Sequence, residues 1–242
     1  MKVALINTPA TYCDWYKRPA LGLAYISACL ESSGFDCKIF DAYFHSWSEK
    51  ELLRCVTEYK PEVIGITAMT HQIIKAAQIG SELKKRLSAL VIIGGCHVTA
   101  LPERTLVEFP AFDCGVCGEG EKTTLELLMY LQSGTELESC AIKGVAFRKG
   151  GRVVVNGPCP QLTSAELDVL PYPAFHDYYG TDPQALAHEH SHYVMLTNRG
   201  CPYNCAFCMR VLGRKVRRRT AQNILQEMDY AIERYGAHTF DF

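Results

Sequence analysis

The chain has 242 residues, 48% hydrophobic and 21% charged, enough for one large domain or two modest ones with a real core. A formal net charge of −1 gives no basis for nucleic acid or an anionic membrane as the main partner, and no apolar run approaches the ~18 residues that span a bilayer. The opening "MKVALINTPA" enters a strand at once, without a signal-peptide pattern, so a cytoplasmic protein is expected.

Five short Val- and Ile-rich segments read as strands buried on both faces: "KVALIN" (2–7), "CKIFDA" (37–42), "EVIGIT" (62–67), "ALVIIGG" (89–95) and "FDCGVC" (112–117). Helical patterns fill the gaps over 20–33, stopped by Gly34, then over 49–59, 72–87, 103–108 and 121–132. The alternation predicts a doubly wound, parallel, five-stranded α/β sheet, in which ligands bind beyond the carboxyl ends of the strands. "GVAFRKGGRVVVNG" (144–157) breaks the pattern, with two alternating runs around Lys149, Gly150 and Gly151 that predict a hairpin. The proline-rich 158–180 reads as a linker or wrapping segment and marks a boundary. A new unit then starts with a strand, "HYVMLTN" (192–198). It continues as a helix from an N-cap at Thr220, with Ile224, Leu225, Met228, Ala231 and Ile232 apolar, to Gly236, and "HTFDF" (238–242) reads as the next strand. The expected parts are 1–140, 141–188 and 189–242.

Nine of the twelve cysteines are scattered, and in a reducing compartment such thiols act as small buried hydrophobes. Cys114 and Cys117 fall in a predicted buried strand, where residues i and i+3 point to opposite faces. The other three crowd into "TNRGCPYNCAFCMR" (197–210) as Cys201-x-x-x-Cys205-x-x-Cys208. Soft thiolates select iron–sulfur clusters, zinc or copper(I). Three of them can hold three corners of a cubane and leave one iron open to a small molecule. The alternative is zinc completed by His188, His190 or His192.

That cysteine spacing after a strand, with Phe207 before the last cysteine, resembles the signature of radical S-adenosylmethionine (SAM) enzymes. The resemblance implies a [4Fe-4S] cluster on Cys201, Cys205 and Cys208 and SAM on its open iron, with Phe207 and Met209 toward the SAM. A parallel sheet ahead of such a loop resembles the flavodoxin-like cobalamin-binding domain of B12-dependent members. "RPALGLAYISACLESSGFDCKIFDA" (18–42), "GGCHVTALPE" (94–103) and "GEGE" (118–121) carry that likeness. It implies cobalamin near Thr67, Ala68, Met69, Thr70, Gly94, Gly95, His97, Val98, Gly118, Glu119 and Gly120. The Asp-x-His-x-x-Gly motif of cobalamin carriers is missing, which favours cobalt without a histidine ligand; His71 and His97 lack that context.

The resemblance implies a cobalamin-dependent radical SAM enzyme, foremost a methyltransferase, acting on a small molecule with an electron donor such as flavodoxin or ferredoxin. The alternatives are an oxidative cyclase of the porphyrin ester type, and a sensor without turnover. Only 34 residues (242 less 208) follow Cys208. We therefore expect a fragment holding only the start of a radical SAM partial barrel, whose isolated form could be inactive. Six positive charges between Arg210 and Arg219 suit either steering of anions or a solvated surface.

Overall fold

A computed structural model describes residues 1–9, 17–180, 182–187 and 192–242. The front of the chain alternates as expected: β1 (Lys2–Asn7), α1 (Leu21–Ser32), β2 (Asp36–Asp41), α2 (Ala42–His45), α3 (Glu49–Tyr59) and β3 (Val63–Thr67). It continues through α4 (Ile73–Arg86), β4 (Leu90–Gly94), α5 (Cys96–Ala100), α6 (Pro102–Glu108), β5 (Cys114–Val116) and α7 (Gly120–Gln132). Helix α5 was not anticipated, because five residues are too few to display a helical period. Helix α3 starts where its sequence dictates: the Ser48 side chain accepts from Glu51 N, and the Glu51 carboxylate accepts from Ser48 N.

The strands run in the order β2-β1-β3-β4-β5-β6-β7, the first five parallel. The last two are the hairpin, β6 (Val145–Lys149) and β7 (Arg152–Val155), paired antiparallel onto β5. The expected five-stranded sheet is thus extended to seven. A three-residue β5 would otherwise leave a bare edge, and Phe147 of β6, paired with Cys114, is buried there. Alternation along the strands divides the core. Val3, Leu5, Val63 and Ile92 face α1 and α7, while Ala4, Ile6, Ile64, Ile66 and Ile93 face α3 and α4. Each large aliphatic side chain buried this way contributes ~1.5–3 kcal/mol.

Residues 158–180 form a strap, with α8 (Ser164–Asp168) and α9 (His176–Tyr179), packed on the front sheet. Ala174 N donates to Ala24 O at 3.0 Å, and the Asp177 carboxylate accepts from Ile39 N at 2.7 Å. Phe175 is fully buried, which explains why this polar-looking segment is ordered.

The expected strand over 192–198 divides into β8 (Tyr193–Val194) and β9 (Asn198–Arg199), each serving a different partner. β9 pairs antiparallel with β10 (Arg217–Arg218), which closes the cysteine loop as a hairpin. β8 pairs in parallel with β11 (Phe240–Asp241) across α10 (Ala221–Tyr235). Helix α10 has the expected Thr220 cap, accepting from Asn223 N, and the left-handed Gly236 stop. Its buried face is a correction: Leu225 and Ile232 are exposed, whereas Glu227, Ala231 and Tyr235 point inward, Glu227 because Arg219 and Tyr193 hold it there. Among the described residues no helix is long and apolar enough to cross a membrane.

Candidate functional site

A cavity of about 330 Å³ lies between the sheet and the helices α1 and α7. Its floor is Val3, Leu5, Val63, Ile92 and Val116, side chains of the strands that face those helices. It reaches the carboxyl ends of β3, β4 and β5, where Thr67, Gly94, Gly95, Gly118, Glu119 and Gly120 line it. Gly95 is dictated by the backbone. Its φ is +95°, and a Cβ there would come 2.8 Å from both Ala68 O and Thr67 Oγ1. At Gly22 of α1, by contrast, an added Cβ would meet nothing within 4 Å, so the bare backbone leaves the cavity its width. An apolar slot with a rim of free turns suits a flat apolar group whose polar parts stay outside.

The other expected cobalamin contacts stand around this opening but do not line it. Ala68 and Val98 are buried in the core on the opposite face of the sheet, and Met69 and Thr70 are exposed on the loop after β3. His97 is buried beside that loop, with Nδ1 3.2 Å from Thr70 Oγ1 and its backbone N–H on Ala68 O. Burial pushes the His97 imidazole below its ordinary value, so the ring adds no charge at neutral pH.

Cys201, Cys205 and Cys208 are exposed on the β9–β10 hairpin. Cys201 N donates to Gly213 O and Cys208 N to Cys205 O, at 3.0 and 3.1 Å, which fixes the loop's ends and middle. Among the described residues, the one group of three or more ligand atoms lying within 4.8 Å of one another is Glu31, His176 and Asp177, away from this hairpin. Three exposed soft donors on one hairpin are open to a cluster. His192 Nδ1 faces Asp241 Oδ1 at 3.2 Å, and His188 and His190 lie outside the described residues. Phe207 is 93% exposed and Met209 43% exposed beside the last cysteine, so both are free to meet a ligand.

Cys114 and Cys117 belong to the two opposite cores, as the strand period requires. Burial pushes the Cys117 thiol up to about 11 and raises Cys114 further still, so both stay protonated filler.

The residues that sequence reasoning missed are the ones joining the two regions. Arg199 of β9 donates from Nη2 to Glu121 Oε1 at 2.6 Å, and its guanidinium lies 5.4 Å from the ring centroid of Tyr25. Arg217 of β10 grips Glu119 with both Nη atoms, at 2.5 and 2.9 Å. Arg199, Leu196 and Leu212 line the cavity as well, so the cysteine hairpin closes one wall of it. Two of the six positive charges expected to be free, Arg217 and Arg219, are buried in ion pairs. Arg210 and Arg214 both turn to Asn204 Oδ1. No local pattern signals the Arg199–Glu121 and Arg217–Glu119 pairs, because their partners stand 78 and 98 positions apart.

Residues 15–128 match the B12 binding domain family. The chain is 31% identical over 231 residues to an uncharacterized methyltransferase of Pyrococcus horikoshii, covering 93% of this chain and 48% of that protein. It is 29% identical over 155 residues to the cobalamin-dependent radical SAM methyltransferase TokK of Streptomyces tokunonensis, covering 62% of this chain and 22% of that one. Three further matches, 26–27% identical, are anaerobic magnesium-protoporphyrin IX monomethyl ester cyclases. The fold resembles that of the radical SAM methyltransferase TsrM of Kitasatospora setae, solved with cobalamin and a [4Fe-4S] cluster bound. The TM-score is 0.68 at 18% identity, over 95% of this chain and 45% of that one. The chain spans about half the length of the curated relatives it matches. It therefore carries a B12-binding domain and is homologous to the cobalamin-dependent radical SAM methyltransferases.

Proposed function

We propose that this chain is the cofactor-bearing part of a cytoplasmic, cobalamin-dependent radical SAM methyltransferase that acts on a small molecule and takes electrons from a flavodoxin- or ferredoxin-type donor. In this reading 1–140 hold the cobalamin, 141–188 connect, and 189–242 begin the radical SAM domain. The observation that carries it is the shared wall: the cavity of the B12-binding domain is lined by Leu196, Arg199 and Leu212, from the segment that presents the three cysteines. Such a wall brings a cobalamin site and a cluster site together, as methyl transfer to a substrate radical requires.

When bound, the cluster and SAM supply a carbon-centred radical and the cobalamin supplies the methyl group. The chain's own part is to hold and to exclude. Cys201, Cys205 and Cys208 ligate the cluster, and Phe207 and Met209 meet the SAM. Thr67, Gly94, Gly95, Gly118 and Gly120 receive the cobalamin, with Ala68, Met69, Thr70, His97 and Val98 shaping the loops beside it. The apolar floor keeps water from the group that enters the cavity. The cyclase relatives support a second reading, radical oxidation with the same cofactors and no methyl transfer.

Anaerobic reconstitution with iron, sulfide and hydroxocobalamin tests the assignment. The expected result is roughly four irons and one cobalt per chain. The triple change of Cys201, Cys205 and Cys208 to Ala is expected to lose the iron and keep the cobalt. Iron retained at wild-type levels in that variant would overturn the cluster site. With the whole protein, isotopically labelled methyl from SAM appearing in product separates methyl transfer from oxidation.

A further inference from the structure

We infer that Glu119 and Glu121 are positioning residues, which lock the cysteine hairpin to the cavity rim, rather than contacts for the ligand that the cavity takes up. The inference rests on the functional reading only in naming that ligand. Glu119 already accepts three hydrogen bonds, out of the roughly four that a carboxylate can take. Its Oε1 takes Arg217 Nη2 at 2.5 Å, and its Oε2 takes Arg217 Nη1 at 2.9 Å and Leu162 N at 3.0 Å, with Arg199 Nη1 at 3.7 Å. Its side chain is 3% exposed. A two-pronged guanidinium–carboxylate contact also fixes the relative angle of its two partners, which a single point charge does not.

The lock has two prongs, one per strand of the hairpin. Arg199 of β9 is held by Glu121, and Arg217 of β10 by Glu119. Arg217 is anchored further through Leu162 O and Leu212 O, both at 2.7 Å. Cys201 follows Arg199 by two residues, so a shift of the turn that bears the glutamates is passed directly to the first cysteine. Gly118 and Gly120 of the same turn line the cavity. Whatever presses on that turn from the cavity presses on the hairpin as well. Buried ion pairs of this kind add little net stability but specify one arrangement over others. Here the arrangement specified is the distance between the cavity and the cysteines.

Hydrogen–deuterium exchange of the whole chain tests this, read at amides 198–219 with and without hydroxocobalamin, alongside a visible-absorbance titration of the same cobalamin. For wild type, cobalamin is expected to slow exchange in 198–219. Glu119→Gln and Glu121→Gln are expected to speed it about tenfold without cobalamin, to bind hydroxocobalamin within about threefold of wild type, and to lose the cobalamin-induced protection. Binding weakened more than about tenfold, with 198–219 exchanging as in wild type, would make Glu119 a ligand contact and overturn the proposal. Should wild type take up no cobalamin, the functional reading fails. The lock then stands or falls on the ligand-free rates: faster exchange supports it, unchanged exchange overturns it. Exchange at β1 and β3 reports whether the variants fold. If they do not, Arg217→Lys, which keeps the charge and breaks the two-pronged contact, is judged by the same criteria.

Discussion

Tyr178 donates its hydroxyl to Asp41 Oδ2 at 3.1 Å, so the strap and the end of β2, 137 positions apart, share one buried carboxylate. Asn7 Nδ2, Phe44 N and Ala20 N donate to the same group at 2.9, 2.9 and 3.3 Å. Burial still raises Asp41 above the ordinary carboxylate value, and the four donors only partly offset it. The folded state therefore holds this proton more tightly than the unfolded chain. Its contribution to stability is full below the unfolded value of about 3.9 and is lost as pH rises through the raised folded value. Asp41→Asn is expected to flatten the fall in Tm as pH rises above about 4. It should also cost ~1–3 kcal/mol at pH 7, where the amide NH2 faces two donors in place of a carboxylate oxygen. Thermal melts of both proteins across that range check this; parallel curves would assign the pH dependence elsewhere.

Glu227 is 0% exposed, 2.5 Å from Arg219 Nη1 and within 3.1 Å of the Tyr193 hydroxyl. Glu227→Ala strands a buried guanidinium and is expected to cost ~3–5 kcal/mol. Replacing Arg219 and Glu227 together by Met removes both charges and is expected to cost less than the single change. Urea titrations of the two variants give the comparison, and a double variant weaker than the single would show that Arg219 acts mainly through its other partners, Leu196 O and Asn223.

Gly200 sits directly before Cys201 at φ +91°, with the Lys215 carbonyl where a Cβ would go. Gly200→Ala forces the hairpin open at a cost of ~1–3 kcal/mol. The damage is local, so circular dichroism is expected to match wild type while iron uptake on reconstitution falls several-fold. Normal iron content would mean that the cysteines do not depend on the hairpin for their placement.

Gly22 offers the reverse case, a position with space beside it. Gly22→Leu fills the cavity without a backbone clash, and Tm is expected to hold. Hydroxocobalamin binding, measured by absorbance, is expected to weaken tenfold or more, about 1.4 kcal/mol. Unchanged binding would place the ligand wholly outside the cavity.

What was legible in the sequence tracks how local its cause is. The boundaries of β1 and α3 follow from a run of apolar residues and from the Ser48–Glu51 cap, both contained within a few positions. The three cysteines were equally plain, since their spacing is their meaning. Helix α5 was too short to register a period, and the attachment of the hairpin to β5 depends on an edge that only the folded sheet possesses. Arg217 read as one of a run of positive charges and Arg199 drew no reading at all, because nothing nearby in the chain announces Glu119 and Glu121. Long-range electrostatics leaves no periodic trace.

The strap has a consequence for how the protein is made. Ala174, Asp177 and Tyr178 complete hydrogen bonds with Ala24, Ile39 and Asp41, so one side of α1 and β2 waits for residues synthesised some 140 positions later. A ribosome adding roughly 5–20 residues per second leaves that side uncovered for about 7 to 30 seconds. During that interval the nascent front domain is sticky, and overexpression at lower temperature, or with a holdase chaperone present, should raise the soluble yield.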